Sequence, residues 1–136
     1  MLFDTKVALV IRDDLEPWQA MNVSAFLAGG IAAAAPECIG EPYEDASGNI
    51  YLSLIGQPIL IYGGDGAALT RVLDRALARG VQPAVYTQEM FATDHDAANR
   101  AAVRSVEREH LNLVGVAIRA ERRVVDKIVD KLKFHR

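Results

Sequence analysis

The run Lys6-Val-Ala-Leu-Val-Ile-Arg12 decides the fold of this chain. Its five central residues are apolar and partly β-branched, and a short uninterrupted run of this kind is typical of a strand buried on both faces of a sheet. Asp13 then stands three residues before Glu16, which is the spacing of a capping box at a helix start. We expect an alanine-rich helix from Pro17 to Ala35, ended by Pro36.

Strand-like and helix-like patterns alternate through the rest of the chain. A polar, turn-rich stretch from 37 to 49 predicts a surface loop. Two β-type runs then flank Gly56-Gln57, a spacing that predicts a hairpin with a type II′ turn, with one continuous kinked strand as the alternative. The expected strands are Lys6–Arg12, Ile50–Ile55, Pro58–Tyr62, Val81–Thr87 and Leu111–Ile118, and the expected helices are Pro17–Ala35, Ala67–Arg79, Asp94–Glu109 and Glu121–Lys133.

This alternation predicts one α/β domain over residues 1–136. The architecture that fits it is a three-layer α/β/α sandwich with a mixed, mostly parallel sheet and an antiparallel hairpin partner. A chain of 136 residues is an ordinary size for a single domain and can bury one core without disulfides or metals.

Composition excludes several classes of protein. Hydrophobic residues make up 51% and charged residues 24% of the chain, which is a globular composition. The single cysteine, Cys38, rules out an intrachain disulfide and a cysteine-based metal cluster. No signal-peptide pattern opens the sequence, and no apolar stretch approaches the roughly 20 residues of a membrane span. We therefore expect a cytoplasmic protein without membrane contact.

The net charge of −3 is unevenly spread. Between Arg119 and Arg136, seven Lys or Arg residues stand against three Asp or Glu residues, and the rest of the chain is acidic. A basic end is one feature of nucleic-acid binding, but an acidic body repels a polyanion, and cations also favour helix C-termini. We therefore expect no nucleic-acid partner.

Polar residues at the predicted strand ends form the candidate site. In open α/β sheets, ligands bind at the carboxyl ends of the strands. The stretches that this rule selects are Arg12 to Asp14, Tyr62 to Asp65, Thr87 to Glu89, and Arg119. We expect the tips of the first and third central strands to open into one cleft, faced by an amide of the first helix. The predicted ligand-binding residues are Arg12, Asp14, Asn22, Thr87 and Gln88.

A carboxylate at the first strand end is the candidate catalytic group. Asp13 or Asp14 would act as a general base if a water molecule were held beside it. The alternative for both residues, and for Asp65, is a helix cap. The segment Gly63–Gly66 lacks the spacing of a phosphate-binding loop, although a helix N-terminus still offers N–H groups to an anion.

The histidine and cysteine patterns indicate neither a metal nor a cofactor. The histidines, His95, His110 and His135, are scattered among polar residues without metal-ligand spacing, and we expect them at the surface. Cys38 has no histidine nearby in the sequence to activate its thiol. The only tryptophan, Trp18, is expected to pack at the start of the first helix or to rim a pocket.

Four segments together resemble a known bacterial family, and the resemblance covers nearly the whole chain. The segments are Arg12–Leu15, Asn22–Ala28, Tyr86–Phe91 and Val125–Lys127. They are similar to those of domain of unknown function 2000. The opening strand with its helix, and the end of the chain, also resemble the type II peptidyl-tRNA hydrolases, whose fold is assigned to that family. The resemblance implies a peptidyl-tRNA hydrolase type II-like fold.

The hydrolase activity does not follow from this resemblance. The hydrolases begin their first helix with a Gly-Lys pair and continue with a glutamine and a histidine on the same face. In this chain those places hold Gln19 or Met21, Ala25 and Ala28. Glutamine and methionine carry no positive charge, and alanine offers neither a donor nor an acceptor. We predict little or no hydrolysis of peptidyl-tRNA.

Three functions are consistent with the sequence. The first is a small-molecule or nucleotide-like binding domain that uses the strand-end pocket. The second is a divergent hydrolase with Asp13 or Asp14 as its base. The third is a structural or interaction homodimer that associates through the alanine-rich face Ala28–Ala35 and the edge of the predicted hairpin.

Overall fold

A computed structural model describes residues 3–136. In chain order its strands are β1 (Thr5–Arg12), β2 (Tyr43–Glu44), β3 (Ile50–Tyr51), β4 (Ile59–Gly64), β5 (Ala84–Thr87), β6 (Leu113–Glu121) and β7 (Lys133–Phe134). Its helices are α1 (Pro17–Ala34), α2 (Gly66–Ala78), α3 (Asp96–Arg104) and α4 (Arg122–Ile128). The main sheet has the strand order β5-β6-β1-β4-β7, and β2 and β3 form a separate two-stranded sheet.

The predicted buried strand is confirmed as β1, at the centre of the main sheet. Every residue from Val7 to Ile11 is at most 1% exposed. Alternate side chains enter two different cores, because successive residues of a strand point to opposite faces. Val7, Leu9 and Ile11 pack with residues of α1, whereas Ala8 and Val10 pack with residues of α2 and α4.

Helix α1 lies close to the middle of the sheet. It buries a narrow stripe of Val23, Leu27 and Ile31, which are spaced four residues apart. Gly115 of β6 permits this approach, because a Cβ atom there would lie 2.5 Å from Val23 Cγ1 and 2.8 Å from Leu27 Cδ1. Only a narrow part of α1 is buried, so a groove runs along each of its flanks.

The main sheet is mostly antiparallel, so the prediction of a mostly parallel sheet was wrong. Within residues 3–136, β1 and β4 pair in parallel, and the other three pairings of the sheet are antiparallel. Strand β5 ends and β6 begins at the same edge, where the Gln88 amide donates to the Asn112 carbonyl at 2.9 Å. Helices alternate with strands in either arrangement, so the alternation alone did not fix the strand directions.

The predicted hairpin around Gly56-Gln57 is also wrong, and so is the continuous kinked strand. Ile50–Tyr51 pairs with Tyr43–Glu44, while β4 joins the main sheet. Gly56 instead lies against Gly40, where a loop closes. A Cβ atom on Gly56 would lie only 3.2 Å from Gly40 Cα, so the absence of a side chain permits this close contact. We call the excursion over residues 39–55 the arm. The glycine that the sequence placed in a tight turn therefore serves a different purpose, which is a close contact between two backbone segments.

Helices α1 and α2 match the predicted helices to within one residue at each end. Gly80, at φ +70°, follows α2 as the expected stop. The predicted helix Glu121–Lys133 is wrong at both ends, because β6 extends through Glu121 and β7 pairs with the edge of β4. Lys131, at φ +69°, lies in the turn between α4 and β7. No helix in residues 3–136 combines the length and the hydropathy that a bilayer crossing needs.

The helix caps differ in part from the predicted ones. Glu16 and Gln19 form the capping box of α1, so the predicted pairing of Asp13 with Glu16 was wrong. Asp65 does cap α2, where its carboxylate accepts the third backbone N–H at 2.8 Å. His95 caps α3 in the same way through Nδ1, at 3.1 Å. Neither Asp13 nor Asp14 therefore caps α1.

Candidate functional site

The ends of β1 and β5 meet the start of β6 around one arginine. The guanidinium of Arg12 donates to carboxylate or amide oxygens of Asp14 at 2.6 Å, Gln88 at 2.9 Å and Asn112 at 2.9 Å. A longer bond of 3.4 Å reaches the carbonyl of Leu113. The arginine side chain is 17% exposed, whereas Asp14 and Asn112 are exposed, so the cluster lies at the surface and only the guanidinium is largely shielded from water. We call Arg12, Asp14, Gln88 and Asn112 the Arg12 cluster.

This cluster unites three of the five predicted ligand-binding residues, Arg12, Asp14 and Gln88. Asn112 was missed, because it precedes β6 and reaches this edge only through the antiparallel direction of that strand. Charge-assisted hydrogen bonds are among the stronger polar contacts in proteins. The cluster thus fastens the 3-10 turn Gln88–Ala92 to the sheet. Ligand binding by its members stays a prediction.

Thr87 and Asn22 lie outside these bonds. Thr87 is 2% exposed, and its hydroxyl has no hydrogen-bond partner within residues 3–136. It follows the register shift between Tyr86 and Thr87, where the pairing of β5 with β6 is irregular. Asn22 is exposed on α1 and lines a cavity on the β5 side of that helix. The structure therefore places the predicted amide in this cavity and outside the Arg12 cluster.

That cavity has a volume of about 410 Å³, and we call it the aromatic cleft. Trp18, Asn22 and Phe26 form one wall, since residues four apart lie on the same face of a helix. Tyr86 lies at its base, and residues 93–99 form the opposite wall. The cleft thus separates α1 from the start of α3.

Four aromatic rings form a connected set in this cleft. The ring centroids of Trp18 and Phe91 are 6.0 Å apart at an interplanar angle of 69°, which is an edge-to-face contact. Phe91 is 5.4 Å from Tyr86, and Tyr86 is 5.8 Å from Phe26. Trp18 is 57% exposed and Phe26 is 62% exposed. The rings at the two ends of the set therefore keep large free surfaces.

Polar groups surround these rings. The Asn22 amide and the Tyr86 hydroxyl make no hydrogen bond within the described part of the chain. Burial raises the pKa of Tyr86 above its ordinary value, so the phenol remains a donor at neutral pH. Asn99 and Thr93, by contrast, are hydrogen-bonded to each other on the opposite wall. The free donors and acceptors thus lie on the side of α1 and β5.

A second cavity of about 530 Å³ continues from the aromatic cleft along α3. The two share Phe26, Met90, Asp96 and Asn99, and the second reaches Arg100 and Arg104. Arg100 is paired with Asp96 on the same helix. A ligand in the aromatic cleft therefore has room to extend toward the cationic face of α3.

Two other predicted site residues lie elsewhere. Arg119 is at the opposite edge of the sheet, because β6 runs against β1, so its inclusion among the strand-tip residues was wrong. Its guanidinium donates to Gln57 and Glu37, both at 3.2 Å. Asp13 lies at the strand tips beside Gly63. Asp13 and Asp14, although adjacent, therefore belong to different surroundings.

One of the three histidines differs from its predicted surface position. His95 and His110 are exposed, but the Nε2 atom of His135 is buried without a hydrogen-bond partner within residues 3–136. Cys38 is buried as a free thiol. Across the residues that the structure describes, no group of three His, Cys, Asp or Glu side chains is placed to hold a metal.

The aromatic cleft as a whole was not recognised in the sequence. Trp18 and Asn22 were noted separately, but Phe26 completes their four-residue spacing. Helix α1 is apolar or small nearly all round, so its exposed aromatic face did not stand out against the buried one. Tyr86 and Phe91 stand in a segment that carries the family resemblance, but the strand-end rule selected only Thr87 to Glu89 between them. The usable signal was aromatic residues at helical spacing together with a second aromatic pair.

Comparison with known proteins identifies relatives of this chain. The model of the family described as protein of unknown function (DUF2000) matches residues 5–136. The chain belongs to this family. It is also similar to a solved structure of a protein of unknown function from Agrobacterium tumefaciens strain C58, with 47% sequence identity and a TM-score of 0.96 over 99% of this chain and 100% of that one. A search of curated proteins found no match.

Proposed function

We propose that this chain binds a small molecule with a planar heteroaromatic ring, such as a nucleobase, in the aromatic cleft. The observation that carries the proposal is the connected set of four rings with two large free ring surfaces, at Trp18 and Phe26. Exposed aromatic residues that line a cavity are more informative than scattered ones. Stacking of a base on an aromatic side chain contributes about 1–3 kcal/mol to binding.

The unpaired polar groups supply the second element of recognition. The Asn22 amide has both a donor and an acceptor, which match the hydrogen-bonding edge of a heterocycle. The Tyr86 phenol adds one donor from the base of the cleft. Apolar walls with a few converging polar groups are characteristic of small-molecule sites. Stacking would hold the ring, and these two groups would orient it.

The single tryptophan makes the proposal directly testable. Trp18 lies in the cleft, so its fluorescence reports on binding without a label. We expect saturable quenching by at least one of the common nucleosides. Phe26→Ala should weaken that binding roughly tenfold, because a stacking surface is lost. Asn22→Ala should reduce the difference in affinity between nucleosides more than it reduces binding itself.

Phe134→Ala is the matched control for these variants. Phe134 is 64% exposed, like Phe26, but lies on β7 at the far side of the sheet. It should leave nucleoside binding unchanged. If no nucleoside changes the fluorescence or the thermal midpoint, or if Phe26→Ala binds as tightly as the natural chain, the proposal is wrong.

Self-association is a separate proposal, supported by the arm. Ile50, Leu52 and Leu54 are each more than 60% exposed, and a lone two-stranded hairpin is only marginally stable in water. A second copy of the chain would cover these side chains. Light scattering at micromolar concentration should show a dimer that Leu52→Ser weakens. A clean monomer would eliminate this proposal.

The likeness to type II peptidyl-tRNA hydrolases stays a proposal for the fold alone. Its test is a superposition of this backbone on that of a hydrolase, which should reproduce the strand order of the main sheet. For the activity we keep the expectation of little or no cleavage of a model peptidyl-tRNA. Measurable cleavage by the purified protein would overturn that expectation and would favour a hydrolase that uses Asp13 or Asp14.

A further inference from the structure

A second set of polar residues lies at the tips of β1, β4 and β7. The backbone amide of Asp13 donates to the carbonyl of Gly64 at 2.9 Å, and that of His135 donates to the carbonyl of Ile61 at 3.0 Å. These bonds fix the two residues on either side of Gly63. A Cβ atom on Gly63 would overlap with Oδ1 of Asp13 and would lie 3.4 Å from the His135 ring. The absent side chain therefore makes room for the carboxylate.

Four polar side chains gather around one cavity here. Asp13, Lys133, His135 and Arg136 line one cavity of about 360 Å³, and we call them the Asp13 cluster. Within residues 3–136, none of these side chains makes a hydrogen bond or an ion pair. The Nε2 atom of His135 is in addition removed from solvent. The side chains of Asp13, Lys133 and Arg136 are exposed, so a ligand would replace water at them, whereas the buried Nε2 atom is a polar group that no described residue satisfies.

An apolar cavity is also lined by His135. It has a volume of about 350 Å³ and lies on the β4 side of α1. Ile11 and Ile61 of the sheet and Ala20 and Met21 of the helix supply most of its wall. His135 lines this cavity and the charged one alike, so the two are neighbours. One ligand can therefore place a charged end and an apolar end in them.

We propose that this double cavity binds a zwitterion with an apolar side chain, namely an apolar α-amino acid. The Asp13 carboxylate would pair with the ammonium group, and Lys133 and Arg136 would pair with the carboxylate. The Nε2 atom of His135 gains a hydrogen-bond partner from the same ligand. The aliphatic side chain would occupy the apolar cavity between α1 and β4. This ligand satisfies every unpaired group of the cluster, which a simple anion or cation does not.

The proposal does not depend on the aromatic cleft. That cleft lies on the β5 side of α1, whereas the cavities at His135 lie on the β4 side. The two share no lining residue among those described. The ligand classes also differ, since one site takes a planar ring and the other a charged aliphatic molecule. Failure of either proposal leaves the other standing.

The first experiment separates the two charges of the ligand. L-leucine is compared with 4-methylpentanoate, which lacks the ammonium group, and with 3-methylbutylamine, which lacks the carboxylate. The readout is the NMR signals of the His135 ring, with those of His95 and His110 as internal controls because both lie elsewhere. We expect leucine to shift the His135 signals in a saturable way. Each analogue should bind roughly tenfold more weakly, because each loses one charge-assisted contact.

The second experiment assigns each charge to its residue. In Asp13→Asn the preference for leucine over 4-methylpentanoate should disappear, because the partner of the ammonium group is gone. In Lys133→Gln the preference for leucine over 3-methylbutylamine should fall. Lys127→Gln is the matched control, because Lys127 is exposed on α4 and lines a different cavity. It should leave all three affinities unchanged.

Two results would overturn the proposal. One is the absence of any His135 shift with leucine up to about 10 mM, which is beyond the range of even weak specific ligands. The other is equal binding of leucine and both analogues, which would show that the charges are not recognised. The proposal would be refuted equally if Asp13→Asn and Lys133→Gln kept the preference of the natural chain for leucine over the two analogues, because the ligand would then bind outside this cluster.

Discussion

Arg12 and Asp13 are adjacent in the sequence, but the polar clusters around them differ in how many of their hydrogen-bonding groups have a partner among the described residues. The Arg12 cluster joins three strand ends through hydrogen bonds between its own members, at 2.6 to 2.9 Å. The Asp13 cluster brings four polar side chains to one cavity without such a bond within residues 3–136. The same edge of the sheet therefore carries one group of polar residues that bond to one another and one whose side chains make no such bond among the described residues.

Position at a strand end therefore does not by itself identify a binding residue. Both clusters lie at the edge where the parallel strands β1 and β4 end, which is where the rule for open sheets places ligands. Their partners decide their function. An arginine whose N–H groups already donate to protein acceptors has few donors left for a ligand. A carboxylate and an imidazole without a partner among the described residues keep theirs available.

The largest expected effect is on stability, at Arg12. Arg12→Met should lower the free energy of unfolding by about 3 kcal/mol, because the three hydrogen bonds that one largely buried guanidinium donates to Asp14, Gln88 and Asn112 are lost together. Lys133→Met, in the Asp13 cluster, should change it by less than about 0.5 kcal/mol, since the exposed Lys133 side chain makes no hydrogen bond or ion pair within residues 3–136. Urea denaturation of both variants measures the contrast. Equal effects would mean that the two clusters do not differ in the way described.

A smaller effect is expected from a single added methyl group at Gly63. In Gly63→Ala the new Cβ overlaps with the Asp13 carboxylate, so we expect a loss of about 2 kcal/mol of stability and weaker binding of leucine. Gly66→Ala is the matched control, because a Cβ there meets nothing within 4 Å and Gly66 is the first residue of α2. It should be neutral or slightly stabilising. An unaltered Gly63→Ala protein would argue against a carboxylate fixed at this position.

These contrasts were only partly accessible from the sequence. The central strand β1, helix α1 and helix α2 were predicted correctly, because their apolar patterns and Gly80 are local signals. The strand directions were not predicted correctly. As a result, the position of Arg119 was wrong and the contribution of Asn112 was missed. Strand direction depends on long-range pairing, which local patterns do not contain.

The candidate site shows the same division. Arg12, Asp14 and Gln88 were correctly expected to lie near one another, since each follows a recognisable strand. His135 was not connected with Asp13, because the end of the chain was predicted as helix rather than as a strand beside β4. A two-residue strand has no periodicity to recognise. It forms because the edge of β4 offers it hydrogen bonds.

A comparison of one substitution in each cluster should give a still smaller difference in the free energy of unfolding. Asn112→Leu should lower the unfolding free energy by about 1–2 kcal/mol, because Arg12 loses an acceptor. His135→Leu should leave it within about 1 kcal/mol, or raise it, since a buried nitrogen without a partner is replaced by an apolar group. Thermal and urea unfolding provide the measurement. A large loss from His135→Leu would show that the imidazole has a protein partner after all.

The arm supplies a third polar cluster, which is satisfied like the Arg12 cluster but exposed to water. The carboxylate of Asp45 accepts hydrogen bonds from the Tyr51 hydroxyl at 2.6 Å, from the Asn49 side chain at 3.0 Å and from the backbone amides of Asn49 and Ser47. These contacts, that of Tyr51 first, hold the pKa of Asp45 well below its ordinary value. Because water competes for these groups, the arm tests whether satisfied hydrogen bonds stabilise without burial.

The expected pH dependence of the arm is therefore local and small. A carboxylate whose pKa is depressed by folding stabilises above the ordinary pKa of 3.8, and that contribution is lost as the pH falls through the folded value. The Asn49 amide signal should titrate with a midpoint below 3.8, and Tyr51→Phe should move that midpoint upward, because the largest cause is removed. Asp45→Asn should hardly change global unfolding, in contrast to Arg12→Met. A natural-chain midpoint at or above 3.8 would show that these bonds do not persist in water, and would make burial the property that distinguishes the Arg12 cluster.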